Sequence, residues 1–142
     1  MSVARELANL VGTPTNGNIL LQSTAGDALD GTGTCNIAAG LNALGAATSG
    51  DDNVAIGRLA LGAGTLTGGV NIAIGATAGD AITSGACNIA IGLNAYGTAA
   101  AGTNSIAIGN AAMGGSLVTG GDNIAIGYAS GCLLYTSPSP RD

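Results

Sequence analysis

Several residue types that carry chemistry or build large cores are missing from this chain. Its 142 residues include no His, no Trp and no Phe, and all three basic residues are Arg. Without His, the commonest general acid–base group, catalysis has little support. The net charge is -5, which argues against nucleic-acid binding because phosphate contacts need Lys and Arg. We therefore expect neither an enzyme nor a nucleic-acid-binding protein.

Long hydrophobic runs are also missing. No segment approaches the roughly 18 apolar residues that a membrane helix requires, so we expect no membrane insertion. The first ten residues, MSVARELANL, do not resemble a signal peptide, because Arg5 and Glu6 stand where its apolar core should begin.

Small apolar residues dominate what is present. The apolar share is 46%, which argues against disorder despite a charged share of only 8%. Most of these residues are Ala, Ile and Leu, and the chain also has 26 Gly. Any core must therefore be thin.

A five-residue phrase, (N/S)-I-A-I-G, recurs with small changes along the chain. Its copies start 17 or 18 residues apart, and a weaker copy starts at Asn18. The first residues of the other copies are Asn36, Asn53, Asn71, Asn88, Ser105 and Asn123. Their last residues are Gly40, Gly57, Gly75, Gly92, Gly109 and Gly127. Such a period is the signature of a stacked repeat architecture.

Each phrase has the length and pattern of a short strand. Its two apolar residues lie two apart and share one face, while Ala takes the other. We expect the Ile side chains to fill the core and the Ala side chains to face outward. The second Ile of the later copies is Ile74, Ile91, Ile108 or Ile126. The segment A-(L/Y/M)-G that follows predicts a second short strand, and Asn at a fixed phase could bond from one coil to the next.

Stacked coils of this kind predict an all-β fold: a parallel β-solenoid, or β-roll, of about seven 17–18-residue coils. The core is slim for a free-standing domain, and small outward side chains would let neighbouring chains approach closely. We therefore expect a homo-oligomer, most simply a homotrimer. A monomeric solenoid with exposed Ala is the competing interpretation.

The two ends differ from the repeats, which occupy 15–131. Residues 1–14 predict a short helix, with Val3, Leu7 and Leu10 at helical spacing, that serves as a cap or as an attachment segment. Residues 132–142, CLLYTSPSPRD, resemble the translation of a transposase-type sequencing adapter. A Pro-Ser linker is the alternative. The adapter interpretation makes 15–131 a fragment of a longer protein.

The repeated phrase, over about 36–131, resembles the YadA-like head of trimeric autotransporter adhesins. That resemblance implies a left-handed parallel β-roll made by three chains, although the period here is longer. Longer repeats of this kind are similar to those of phage tail-fibre proteins, and Met1–Leu10 is similar to the start of such virion proteins. The resemblance implies a virion fibre that attaches to an unidentified host-surface receptor. A bacterial surface adhesin is the runner-up.

Other chemistry has weaker support. Asp52 and Asp122 share a phase but lie four coils apart, too far for an acid–base pair, and Gly120-Gly121-Asp122 is a lone fragment of a calcium-binding repeat. We expect no cofactor and no metal. Cys35 and Cys87 share a phase three coils apart, about 14 Å, so we expect free thiols.

An ice-binding solenoid is the remaining alternative, and it has little support. It would need a Thr-x-Thr pair at one phase of every coil. Thr32/Thr34 and Thr65/Thr67 are such pairs, but they lie at different phases.

Overall fold

The computed structural model describes residues 16–29, 32–98, 101–115 and 120–131. The expected N-terminal helix over 1–14 and the segment 132–142 lie outside these residues. We number the coils 1 to 7 from the first residue of each phrase. These residues are Asn18, Asn36, Asn53, Asn71, Asn88, Ser105 and Asn123.

Seven short parallel strands, one from each coil, form a single sheet in chain order. They are β1 Ile19–Leu20, β2 Ile37–Ala39, β3 Val54–Ile56, β4 Ile72–Ile74, β5 Ile89–Ile91, β6 Ile106–Ile108 and β7 Ile124–Ile126. Each strand pairs with the next at the same phase, as in Ile72↔Ile89 and Ala73↔Ala90. The fold is therefore the expected parallel β-solenoid, with six turns of the chain joining seven strands.

The second half of each coil is not the strand that we expected. It is a sequence of turns in which residues such as Leu59 and Leu61 adopt left-handed backbone angles, with φ of 59° and 50°. Backbone bonds still tie these turns to neighbouring coils. Leu59 N–H donates to Leu41 O in the preceding coil, and Leu61 N–H donates to Ala78 O in the following one. These bonds offset the cost of about 1–2 kcal/mol for each left-handed residue that is not Gly.

The strand side chains point the opposite way from our prediction. The central Ala of strands β2 to β7 is buried, whereas none of the Ile residues on either side of it is. The buried Ala residues of the strands are Ala38, Ala55, Ala73, Ala90, Ala107 and Ala125. The expectation of an Ile core with outward Ala was therefore wrong. Because side chains alternate along a strand, a face assigned wrongly once is wrong for the whole row.

The narrow interior is filled by Ala together with larger side chains from the turns. In coils 2, 3, 5 and 6 a large side chain eight residues after the coil's first residue is buried: Leu44, Leu61, Tyr96 and Met113. Coil 4 has Gly79 at that place, and Ile82, three residues further on, is buried instead. A Cβ on Gly79 would stand 3.0 Å from Leu61 Cδ2 and 3.1 Å from Ile82 Cδ1, so these two side chains fill the space beside this glycine. Coil 3 buries a second large side chain, Leu66, as well as Leu61.

The glycine that ends each phrase is required by both its backbone angle and its neighbours. Gly75 has a φ of +133°, and a Cβ there would lie 2.6 Å from Gly92 O in the next coil. Its N–H donates to Ile56 O in the preceding coil. The coils can thus turn and stack at this corner only if the position has no side chain.

We expect Gly75→Ala to lower the free energy of unfolding by about 2–4 kcal/mol, through backbone strain and overpacking. Chemical denaturation followed by circular dichroism measures this. The control is Gly120→Ala, where an added Cβ would meet nothing within 4 Å. Equal losses in the two variants would contradict the close approach of the coils.

Candidate functional site: the isoleucine face and the asparagine ladder

Two rows of apolar side chains run along the outside of the sheet, and we call them together the isoleucine face. The first row is Ile19, Ile37, Val54, Ile72, Ile89, Ile106 and Ile124. The second row is Leu21, Ala39, Ile56, Ile74, Ile91, Ile108 and Ile126. Neighbouring strands lie about 4.8 Å apart, so seven coils make the face roughly 34 Å long, and its two rows are about 7 Å apart.

These side chains remain partly exposed although each row stacks upon itself. In the middle of the stack, Ile72 and Ile74 are 37% and 38% exposed. In coil 7 the exposed fractions of Ile124 and Ile126 rise to 69% and 66%. A continuous apolar strip of this kind on an exposed surface is typical of an interaction site.

Each side of the isoleucine face is bounded by a corner of the chain, which we call a rim. The first rim consists of the residues directly before the coil's first residue, such as Asp52, whose φ of 56° turns the chain. The second rim consists of the residues directly after the glycine that ends the phrase, such as Arg58. Asp52 and Arg58 are both exposed. The face is therefore flat and apolar in the middle, with exposed side chains at both edges.

A ladder of buried asparagines lies behind the face, as the constant phase of Asn suggested. Asn53 Nδ2 donates to Asn36 Oδ1 at 3.1 Å and to Gly68 O at 3.2 Å. Its Oδ1 accepts from the N–H and the Nδ2 of Asn71, at 2.9 and 3.0 Å. Both donors and both lone pairs of this amide are thus used, which removes the cost of burying it.

The asparagine ladder also carries the information that our assignment of faces missed. The Asn and the central Ala of a phrase are two residues apart and therefore share one face of the strand. A buried ladder at Asn53 thus requires Ala55 to be buried and Val54 to point outward. The predicted asparagine ladder and the predicted Ile core are incompatible with each other, and the structure confirms the ladder.

Ser105 weakens the ladder between coils 6 and 7. Asn123 reaches Ser105 Oγ at 3.3 Å from its N–H and at 3.4 Å from its Nδ2, longer than the corresponding bonds elsewhere. The buried Tyr96 ring lies in the same region, with its hydroxyl close to Gly102. Burial raises the pKa of Tyr96, and the Ser105 hydroxyl opposes that rise in part. No hydrogen bond of ordinary geometry reaches the Tyr96 hydroxyl.

We expect Asn71→Ala to cost about 3 kcal/mol or more. The substitution removes the Asn71 side-chain bonds to Asn53 Oδ1 and Gly85 O, and those that Asn71 Oδ1 accepts from the N–H and the Nδ2 of Asn88, all in a buried setting. Equilibrium denaturation measures the loss.

The control is Asn123→Ala, which removes the 3.4 Å bond from Asn123 Nδ2 to Ser105 Oγ and the Nδ2 bonds to the nearby Gly120 O and Gly121 O. A smaller loss for Asn71→Ala than for Asn123→Ala would show that the ladder does not hold the stack together.

The Asp80 carboxylate is partly removed from water, and one of its oxygens lacks a hydrogen bond. Its Oδ1 is buried without a hydrogen-bond partner. Desolvation raises the pKa of Asp80 above its ordinary value of 3.8, while backbone N–H groups of Ala81 and Asp80 oppose the shift. The folded chain therefore binds this proton more tightly than the unfolded chain does. The resulting stabilisation is complete below pH 3.8 and is lost as the pH rises through the folded-state pKa.

We expect Asp80→Asn to raise the melting temperature at pH 7, because the substitution removes a poorly solvated charge. The gain should shrink as the pH falls through the raised folded-state pKa of Asp80, and it should be smallest below pH 3.8, where Asp80 is protonated in both states. Thermal unfolding between pH 3 and pH 8 tests this, with Asp27→Asn as the control because exposed Asp27 lies at the same phase of coil 1. A gain that does not change with pH would contradict the assignment to Asp80 ionisation.

Groups that could support metal or thiol chemistry are sparse in the part of the chain that the structure describes. No cluster of three or more His, Cys, Asp or Glu residues occurs there. Cys35 and Cys87 are exposed free cysteines, as expected. Asp52 and Asp122 lie on the first rim of coils 3 and 7, so the structure does not bring them together.

Comparisons with protein families, curated proteins and solved structures find no match to this chain. The search for membrane-spanning helices, made over the described residues, finds no candidate. Function must therefore be argued from the isoleucine face and the stack behind it.

Proposed function

We propose that this chain is a structural segment of a fibre that assembles as a homotrimer through the isoleucine face. The exposure of this face is the observation that carries the proposal. A monomer would leave two Ile rows in water over about 34 Å, and burying them would contribute about 25 cal/mol for each Å² removed from water. Three such faces around one axis would form a closed apolar core.

The structure places Ile, and not Ala, on the outer face of the strands, so the argument for assembly changes from the one that the sequence suggested. Close approach through outward Ala was the first argument for an oligomer, but Ala73 and the other central Ala residues are buried. The outward Ile residues make a stronger case, because they supply hydrophobic energy as well as a shape to pack.

A stack of coils suits a mechanical role. Each coil is bonded to the next through the strand, the asparagine ladder and the turns, so the segment resists bending and keeps its ends apart. The function we propose is that of a spacer in a phage tail fibre that holds a host-binding tip. Trimeric assembly would multiply weak contacts of three tips into avidity. The head of a bacterial trimeric adhesin is the alternative, since the same stack can serve on a cell surface.

We expect Ile74→Asp together with Ile91→Asp to abolish the oligomer while leaving the coil folded. Neither side chain is part of the buried core, and burying carboxylates against the apolar surface of a partner would cost desolvation free energy. Sedimentation velocity measures the assembly, and far-UV circular dichroism measures the fold. The control is Ser84→Asp, an exposed position outside the isoleucine face and its rims.

A wild-type chain that sediments as a folded monomer at micromolar concentration would refute the homotrimer. The coding sequence beyond residue 131 separates the two biological settings. Further coils that lead to a tip domain support the tail fibre. A coiled-coil stalk followed by a membrane anchor supports the adhesin.

A further inference from the structure

The two rims of the isoleucine face match each other coil by coil. In coil 3 the first rim carries Asp52 and the second carries Arg58, so an acid and a base share one level of the stack. Coil 6 carries an amide on both rims. The remaining levels pair apolar or thiol groups in coils 2, 4 and 5, and a carboxylate with a phenol in coil 7. The rim pairs of coils 2 to 7 are Cys35 with Leu41, Asp52 with Arg58, Val70 with Ala76, Cys87 with Leu93, Asn104 with Asn110, and Asp122 with Tyr128.

Arg58 has no acidic neighbour along its own rim. The residues above and below it are Leu41 and Ala76, and the second rim of coils 2 to 7 has no carboxylate at any level. Arg58 is also the one basic residue in the part of the chain that the structure describes. The exposed Arg58 guanidinium can therefore reach a carboxylate of another chain.

A second acid lies next to the one on the opposite rim. Next to Asp52, Asp51 Oδ1 accepts from the N–H of Thr34 at 2.7 Å and from its hydroxyl at 2.9 Å. These bonds orient the Asp51 carboxylate and leave Oδ2 available. Two carboxylates thus stand at the level of coil 3, on the rim opposite Arg58.

Symmetry decides which rims can meet. When copies pack through this face around an axis parallel to the stack, the first rim of one copy meets the second rim of the next, at the same coil. When two copies pack antiparallel, each rim meets the same rim of its partner. Arg58 would then face a rim without carboxylates, and Asp52 a rim without a base. The coil-by-coil match is therefore satisfied only by the parallel arrangement in register.

We propose that the rims select identical chains in parallel, in-register contact, with an interchain ion pair between Arg58 and Asp52 as the main determinant of register. The Asn104–Asn110 and Asp122–Tyr128 levels add hydrogen bonds between chains, and the apolar levels extend the core of the assembly. This inference rests on the proposed assembly through the isoleucine face and adds to it the residues that set the register between chains. A neighbour shifted by one coil places Arg58 against Cys35 or Val70, which cannot accept its charge.

Disulfide trapping at the level of coil 6 tests the register without touching the ion pair. Asn104→Cys and Asn110→Cys are combined in the full chain, with Cys35, Cys87 and Cys132 replaced by Ser. These two positions of one chain lie on opposite rims, six residues apart and further than the ~7 Å that a disulfide spans. The bond can therefore form only between chains. The matched control is Asn104→Cys with Ala76→Cys, whose rims are offset by two coils, about 10 Å.

Under mild oxidation we expect covalently linked oligomers from the matched pair and almost none from the offset pair. Linkage in the offset pair instead would overturn the proposed register. If the reduced protein sediments as an oligomer and the matched pair does not link, the rim pairing is wrong while the proposed assembly stands. If the protein sediments as a monomer, the assembly itself is wrong and the inference fails with it.

Charge exchange tests the ion pair directly. Arg58→Asp should weaken assembly by on the order of tenfold in concentration, since it places like charges at coil 3 of every interface. The double variant Asp52→Arg with Arg58→Asp should recover most of that loss, because the opposite charges then meet with their places exchanged. The loss should also shrink at high salt. A double variant as weak as the single one would refute the pairing of these two residues.

Discussion

The buried asparagine ladder is the interaction on which the rest of the structure depends. Each amide bonds to the coil before it, to the coil after it and to a backbone carbonyl at the corner, as Asn53 and Asn71 do. Such a ladder has full bonding only when successive coils stack at the same phase. A shift by one residue would bury unpaired polar groups at several levels at once. The ladder therefore holds the register of all seven strands.

The direction of every other strand side chain follows from the ladder. With Asn71 inward, Ala73 is inward as well, and Ile72 and Ile74 must face outward. The interior is then lined by Ala and has space for one or two large groups per coil, such as Tyr96 in coil 5 or Leu61 and Leu66 in coil 3. A thin core and an apolar exterior thus have the same cause. The chain gains its stability from repeated backbone and amide hydrogen bonds, and most of its Ile side chains lie on the isoleucine face.

That distribution gives the apolar face and its rims different roles. The two Ile rows are nearly the same at every level, so they would hold copies together without choosing a register. The rims vary from level to level, from Asp52 and Arg58 in coil 3 to Asn104 and Asn110 in coil 6. In a repeat protein, only positions that differ between coils can distinguish one level of the stack from the next. Strength and register would then reside in different residues of one surface, as the heptad core and its flanking charges do in coiled coils.

The sequence by itself determined the architecture. A 17–18-residue period, glycines at fixed phases and a five-residue strand between them predict stacked parallel coils, since one coil has no core of its own. The same period placed the ladder asparagines above one another and kept Cys35 and Cys87 apart. The tertiary structure decided which face of the strand is inside, because the alternation of Ile and Ala is equally consistent with both. The phase of the ladder asparagines indicates the same face once they are known to be buried. The tertiary structure also decided that the A-(L/Y/M)-G segment is a chain of left-handed turns, because bonds to neighbouring coils outweigh the preference of Leu59 and Leu61 for other backbone angles. Local sequence sets the period, whereas the width of the assembled interior decides what fits within it.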